Sequence, residues 1–249
     1  MAGPLDGRVA LVTGATGGIG SAITRTLARA GADVVIGFNR AKDAAGELLS
    51  TLPAGRHIAA AADVTDSASL AGLAGRIETD LGRLDILVNC AGTTRFVPHA
   101  DLDALDDALI DRVMAVNVRG VIAATRAMRP LLDRSDAAVI VNISSIAAVT
   151  AMGSNIAYCA SKAAVDNLTK SLARALAPKI RVVSVSPGLV DTEFVKGLDQ
   201  SWRDAQARQT PLGRLGAPEE VADAVLAAVA ALRFTTGAVI SVDGGRPLA

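Results

Sequence analysis

Residues 8–20 read RVALVTGATGGIG. The apolar run Val9–Val12 does not alternate with polar residues, as expected of a strand covered by helices on both faces. It enters Thr13 and a turn holding Gly14, Gly18 and Gly20, and residues 18–30 then carry apolar positions at helical spacing. A strand, a glycine turn and a helix in that order form the opening of a βαβ unit. Six more apolar runs follow: ADVVIGF (32–38), HIAAA (57–61), LDILVN (84–89), AAVIVNIS (137–144), IRVVSVS (180–186) and AVISV (238–242). Between them, 67–81, 104–133 and 156–177 have helical periodicity; Val165, Leu168 and Leu172 recur on one face while Asp166, Lys170 and Arg174 face elsewhere. Parallel strands need crossover connections, so this alternation predicts a Rossmann-type α/β fold: a three-layer, doubly wound, parallel seven-stranded sheet. No repeat, low-complexity tract or linker divides the chain, and residues 1–249 read as one domain.

Composition narrows the function. Hydrophobic residues make up 51% of the chain and aromatic ones only 2%, so Ala, Val, Leu and Ile must fill the core. Lys+Arg and Asp+Glu balance at 25 each, which gives no basic field for nucleic acid or an anionic membrane and favours a small soluble partner. The start, MAGPLDGR, lacks the pattern of a signal peptide, and the most apolar helical stretch, VADAVLAAVAAL (221–232), is too short to span a bilayer. A cytoplasmic protein is expected. Two cysteines, Cys90 and Cys159, and two separated histidines point to neither a disulfide framework nor a metal site.

The glycine turn is the first chemical signal. Glycines permit a tight turn and close backbone approach, and the helix N-terminus offers unpaired N–H groups and a positive dipole end to a pyrophosphate. Its spacing is Gly-x-x-x-Gly-x-Gly after Thr13. With NCAG at 89–92, Asn117, Ser145, YCASK at 158–162, SPG at 186–188 and VDGG at 242–245, the chain resembles the short-chain dehydrogenase/reductase family from end to end. It is most similar to the 3-oxoacyl-carrier-protein reductase group, which it also matches through PLGRLGAPEEVA (211–222).

YCASK carries the only tyrosine of the chain, four residues before Lys162. That spacing puts Tyr158 and Lys162 on one helix face, roughly 5–6 Å apart at their β-carbons. A free phenol titrates near 10, and a close ammonium favours the phenolate, which suits tyrosine to proton exchange near neutrality. Taken alone, such a pair is most often a helix-surface pair; the joint spacing of the motifs reverses that reading. Ser145 lies thirteen residues before Tyr158. The resemblance implies that the Ser145 hydroxyl binds the substrate oxygen, that Asn117 holds a water linking Lys162 to solvent, and that Lys162 also bonds the nicotinamide ribose. Ser144 and Ser145 are also read as residues that end a strand or cap a helix, and Asn117 as a satisfied core amide.

The resemblance further implies a nicotinamide cofactor held by Gly14, Thr16, Gly18, Ile19 and Gly20 of the first loop, by Asp63 and Val64 after the third strand, by Asn89, Ala91 and Gly92, and by Pro187, Gly188, Val190 and Thr192, together with Tyr158 and Lys162. Asp63 is equally a candidate helix cap. Cys90 stands where the family commonly has a second asparagine. At the end of the second strand, VVIGFNRAKD (34–43), no acid follows the apolar run to repel a 2′-phosphate, and Arg40 follows Asn39. NADP(H) is favoured and NAD(H) stays open, since Gly17 occupies a place where many relatives carry a basic residue.

The expected reaction is interconversion of a carbonyl and a secondary alcohol by hydride transfer. The substrate is a small carbonyl or alcohol, with a carrier-protein thioester, another small alcohol, a steroid and a sugar all left open. Residues 189–212, with Phe194, Val195, Leu198 and Trp202, are expected to form a mobile lid over it. A homotetramer is expected from the family and from the apolar faces of 104–133 and 156–177. The competing reading is a cofactor-binding regulatory protein without turnover. A hydrolase is disfavoured, because there is no Gly-x-Ser-x-Gly elbow and neither His57 nor His99 lies in a triad context.

Overall fold

The computed structural model describes residues 3–248, apart from the side chain of Phe194. Strands and helices alternate as β1 (Val9–Thr13), α1 (Gly18–Arg29), β2 (Asp33–Phe38), α2 (Lys42–Ser50), β3 (Ile58–Ala61), α3 (Ser67–Leu81) and β4 (Ile86–Asn89). The second half runs α4 (Asp107–Met114), a π-turn (Ala115–Arg119), α5 (Gly120–Leu132), β5 (Ala138–Ile143), α6 (Ala147–Thr150), α7 (Ile156–Leu176) and β6 (Ile180–Pro187). It closes with α8 (Glu193–Lys196), α9 (Gln200–Arg208), α10 (Pro218–Ala230), β7 (Val239–Val242) and a 3₁₀ turn (Arg246–Leu248).

All seven strands lie in one parallel sheet of order β3-β2-β1-β4-β5-β6-β7. Successive side chains point to opposite faces, and both faces are covered. Ala10 and Val12 pack with Ile23 and Leu27 of α1 and Val221 and Val225 of α10. Val9 and Leu11 pack with Leu70 and Ile77 of α3 and Met128 of α5. This two-sided burial is why β1 reads as an unbroken apolar run. The chain winds outward from β1 to β3, then returns to β4 and winds the other way, so a crevice opens beyond the carboxyl ends of β1 and β4.

Asp85 ties the amino end of the sheet together, just before the central strand β4. Its carboxylate accepts from the Val9 N–H at 2.9 Å, from Arg83 at 2.6 and 2.9 Å and from Ser135 at 2.5 Å. Burial alone would raise its pKa, but these donors outweigh burial and hold it below the usual carboxylate value. A depressed folded-state value stabilises the fold above the unfolded pKa, and that contribution is lost as pH falls through the folded value. Asp85→Ala should therefore cost about 2–4 kcal/mol at neutral pH by orphaning buried donors. The difference from wild type should shrink below about pH 4; denaturant titrations at both pH values check this.

Two features differ from expectation. The run 104–133 is helical only from Asp107, where Asp106 caps α4 by accepting from the Leu109 N–H at 2.7 Å, and a π-turn interrupts its regular α-helical bonding between α4 and α5 without a break in helical backbone conformation. Strand β7 was expected to be covered like its neighbours, yet it alternates between exposed and half-buried residues. It is an edge strand, and only the 3₁₀ turn follows it in the described chain, so nothing returns to cover its outer side. No described helix is long and apolar enough to cross a membrane.

Candidate active site

A cavity of about 1450 Å³ lies along the carboxyl ends of the strands. Its floor begins at Gly14, where φ is +65° and an added Cβ would sit 2.8 Å from Ala91 Cα. Only glycine takes that conformation at that proximity without strain. Thr13 holds the approach: its hydroxyl donates to Val88 O at 3.3 Å and accepts from the Cys90 and Ala91 N–H groups at 3.1 and 3.2 Å. The turn after β1 and the loop after β4 thus form one wall.

Helix α1 starts at this wall without a side-chain cap and without an acid in its first turn. Its first N–H groups and positive dipole end are left for an anion. Gly18 is backed by Thr192, whose Cγ2 would lie 2.8 Å from an added Cβ. At the far end, Arg40 is exposed, lines the cavity and makes no ion pair among the described residues. An uncapped helix end beside a narrow glycine wall is a donor set that fits the pyrophosphate of a dinucleotide. Asp63 lines the same region. Its carboxylate accepts from the Thr65 hydroxyl at 2.7 Å and the Thr65 N–H at 2.8 Å, bonds that, with the field of Arg112, hold it below the ordinary carboxylate range. Helix α3 is capped by Asp66, which accepts from the Ala68 N–H at 2.8 Å, so the capping alternative for Asp63 does not hold.

The reactive side chains gather at β5 and α7. Asn155 caps α7, accepting from the Tyr158 N–H at 2.7 Å and donating to Arg95 O at 2.7 Å and Thr94 Oγ1 at 3.1 Å, which fixes the first turn of the helix against the loop after β4. Tyr158 is half-buried and faces the cavity. Lys162 is buried; its Nζ donates to Ile143 O at 2.8 Å and lies 5.6 Å from the centre of the Tyr158 ring. The backbone thus brings the phenol, the ammonium and the end of β5 together. Ser145 is half-buried, and its Oγ accepts from the Ala147 N–H at 3.2 Å. Ser144 is buried, with its hydroxyl turned toward Lys162 O at 3.4 Å. Of the two serines, Ser145 has the freer hydroxyl.

Gly14, Thr16, Gly18, Ile19, Gly20, Arg40, Asp63, Val64, Ala91, Gly92, Pro187, Gly188, Val190 and Thr192 all line the cavity. Asn89 and Asn117 lie behind it. Asn89 is buried and donates across the sheet to Asn142 Oδ1 at 2.9 Å. Asn117 sits in the π-turn; its Oδ1 accepts from the Thr93 N–H at 2.8 Å, and its Nδ2 donates to Thr93 O and Ser161 Oγ, both at 3.1 Å. It is a satisfied buried amide next to the site, in the kind of helical irregularity that clusters at functional positions. Cys90 also lines the wall, and burial pushes its enclosed thiol up to about 11 against the opposing field of Lys162, so it is protonated at neutral pH. Among the described residues, no three His, Cys, Asp or Glu side chains gather as a metal site.

The outer wall is formed by Val195, Leu198 and Trp202, and Arg203 of α9 pairs with Asp191 at 2.6 Å. The side chain of Phe194 lies outside the described residues. The wall also includes Gln206 and Arg246, which the sequence reading does not single out, and His99, which it weighs only as a triad residue. Arg246 directly follows VDGG (242–245), the one signal that pointed to this edge.

A family model described as enoyl-(acyl carrier protein) reductase matches residues 14–246. The chain is 40% identical over 242 residues to a cis-4-hydroxycyclohexanecarboxylate dehydrogenase of Sinomonas cyclohexanicum, covering 96% of each chain. It is 36% identical over 246 residues to a 3-oxoacyl-[acyl-carrier-protein] reductase of Thermotoga maritima, covering 97% of this chain and 98% of that one. Among solved structures, a glucose/ribitol-type dehydrogenase of Brucella melitensis superposes with a TM-score of 0.92 at 30% identity, over 99% of both chains.

Proposed function

The chain belongs to the short-chain dehydrogenase/reductase family, and from that premise we propose that it interconverts a carbonyl and a secondary alcohol with NADP(H) as the favoured cofactor. The observation that carries this reading is the convergence of Ser145, Tyr158 and Lys162 on one cavity whose other half is the glycine cradle. The nicotinamide ring, when bound, supplies or takes up the hydride. Gly14, Gly18 and the start of α1 would hold the pyrophosphate of the dinucleotide, Asp63 and Val64 would meet the adenine, Gly92 the ribose, and Pro187, Val190 and Thr192 the carboxamide end.

In the direction of reduction, Tyr158 gives its phenolic proton to the carbonyl oxygen, and Ser145 donates a hydrogen bond to the same oxygen as negative charge builds there. The Lys162 ammonium, beside the Tyr158 ring, stabilises the phenolate left behind. Asn117 keeps the Thr93 backbone and the Ser161 hydroxyl in register behind Lys162, where a water can return the proton. The segment 189–212 closes over the substrate as a lid. The two curated relatives above are named for different substrates, a hydroxy acid and a carrier-protein thioester, and both names fall within this reaction class. We place this chain nearest the 3-oxoacyl-carrier-protein reductase group. Following NADPH and NADH oxidation against a panel of ketones and 3-oxoacyl thioesters tests the reading; no turnover across the panel with tightly bound cofactor would favour a non-catalytic binding protein instead.

Arg40 carries the cofactor preference. The wild type should prefer NADPH, and Arg40→Ala should lower kcat/KM with NADPH by roughly 10- to 100-fold, the size of a lost charge-assisted hydrogen bond, with little change for NADH. Equal losses with both cofactors would remove Arg40 from phosphate recognition. Assembly is a homotetramer in this reading: Met114, Ile122 and Ile156 are exposed on α4, α5 and α7, and Val239 on the open edge strand, so pairing across two-fold axes covers apolar surface a monomer leaves wet. Light scattering that gives a stable monomer at micromolar concentration would refute this.

A further inference from the structure

The cavity ends at a charge the proposed chemistry leaves unused. Arg246 follows β7 and reaches the cavity wall beside Gln206 and Trp202 of α9. Its Nη2 donates to Gln206 Oε1 at 2.9 Å and to Gln209 Oε1. Both acceptors are neutral amides. Among the described residues its Nε and Nη1 make no hydrogen bond, and no carboxylate pairs with it. The acids near this end are engaged elsewhere: Asp199 caps α9, accepting from the Trp202 N–H at 2.9 Å, Glu193 pairs with Lys196 at 2.8 Å, Asp191 pairs with Arg203 at 2.6 Å, and Asp243 accepts from the Gly245 N–H at 2.9 Å.

Position along the sheet says what this cation meets. Arg40 follows β2, on the cofactor side, whereas Ser145 follows β5 and Arg246 follows β7. Two strand spacings put the ends of β5 and β7 roughly 10 Å apart. The wall between them is apolar, with Leu189 and Trp202. A half-enclosed guanidinium with two unused donor nitrogens is matched by a planar carboxylate better than by water.

We infer that Arg246 is the anion-binding group of the substrate pocket and that the substrate carries a carboxylate separated from its reacting carbon by an apolar body of several carbons. This rests on the carbonyl–alcohol reading above. Gln206 and Gln209 share a single nitrogen of the guanidinium, so Gln206 alone can hold it, and as neutral amides they leave its charge uncompensated among the described residues.

The test compares 5-oxohexanoate and 6-oxoheptanoate, each against its methyl ester, in the wild type, Arg246→Gln, Arg246→Lys and Gln209→Ala. The acid-to-ester ratio of kcat/KM should exceed about 10 in the wild type, fall roughly 10- to 100-fold in Arg246→Gln, fall by less in Arg246→Lys, which keeps the charge but not the planar fork, and stay largely intact in Gln209→Ala. A wild-type ratio near one, or a ratio indifferent to Arg246→Gln, overturns the inference. So does an equal collapse in Gln209→Ala, which would mean that the contact with α9 matters and the charge does not. A second pair separates the source of the anion: if acetoacetyl-pantetheine 4′-phosphate is preferred over the neutral N-acetylcysteamine thioester in an Arg246-dependent way while the oxo acids are not preferred, the carboxylate assignment fails in favour of a phosphate. Calorimetry with heptanoate, which does not react, keeps the inference separate from the reaction. If no ketone turns over, the reading of the reaction fails; heptanoate binding weakened by Arg246→Gln then still supports the anion site, and unchanged or absent binding overturns it.

Discussion

Tyr158→Phe should lower turnover by roughly 10²- to 10⁴-fold, the span supplied by a positioned general acid or base, while melting temperature and cofactor affinity stay close to wild type. The separation follows from the geometry. Tyr158 enters its helix through the Asn155 cap, a backbone bond the substitution leaves intact. Its hydroxyl makes no hydrogen bond among the described residues, so its loss orphans no protein partner. The ring beside Lys162 remains, with its packing. On the proposed mechanism, what disappears is the proton given to the substrate oxygen. Steady-state kinetics on any ketone found in the panel, beside cofactor titration and thermal melting, check the three quantities together. Retention of a large fraction of wild-type activity would take Tyr158 out of proton transfer.

Lys162→Ala should be as damaging to turnover but different in kind, because one side chain serves three neighbours. Its ammonium is buried, donates to Ile143 O at 2.8 Å and faces the Tyr158 ring. Removing it leaves a carbonyl at the end of β5 short of a partner and, on the proposed mechanism, withdraws the charge beside the phenolate and a donor to the cofactor. We expect turnover at saturating cofactor to fall about 10²-fold or more, and cofactor binding to weaken by roughly tenfold or more. Stability should fall by about 1–3 kcal/mol for the unsatisfied acceptor. Tyr158→Phe and Lys162→Ala thus differ in a measurable way: only the second should move the cofactor Kd. If Lys162→Ala lowers turnover with unchanged cofactor affinity, the ammonium acts on the tyrosine alone.

Much of this was legible in one dimension. The unbroken apolar runs became seven parallel strands because every inner strand is buried on two faces. The helix expected over 67–81 is α3, capped by Asp66 and ended by Gly82 at φ +76°. The pairing of Tyr158 with Lys162 needs only the period of one helix. In each case the cause is local: backbone hydrogen bonding and side-chain periodicity act over a few residues, so a short window contains what decides the outcome.

The remainder depended on elements far apart in the chain. The π-turn at Asn117 goes with the bonds its amide makes to the Thr93 backbone, 24 residues away, a partner that no local window contains. Asn89 stands in the loop motif, yet its side chain is committed across the sheet to Asn142, 53 residues on. The thirteen-residue interval to Tyr158 already favours Ser145 over Ser144, and the packing of β5 against α7 adds that the Ser144 hydroxyl turns toward Lys162 O. Arg246 carried no motif, and Gln206, 40 residues before it, had no reason to be its neighbour until β7 took the sheet edge beside β6. The sequence by itself determined the strands, the helices and the glycine turn, since these follow from local periodicity and backbone conformation. Which side chains share the cavity was decided only by tertiary structure, because the order of strands in the sheet places distant residues a few ångströms apart and no local interaction encodes that order.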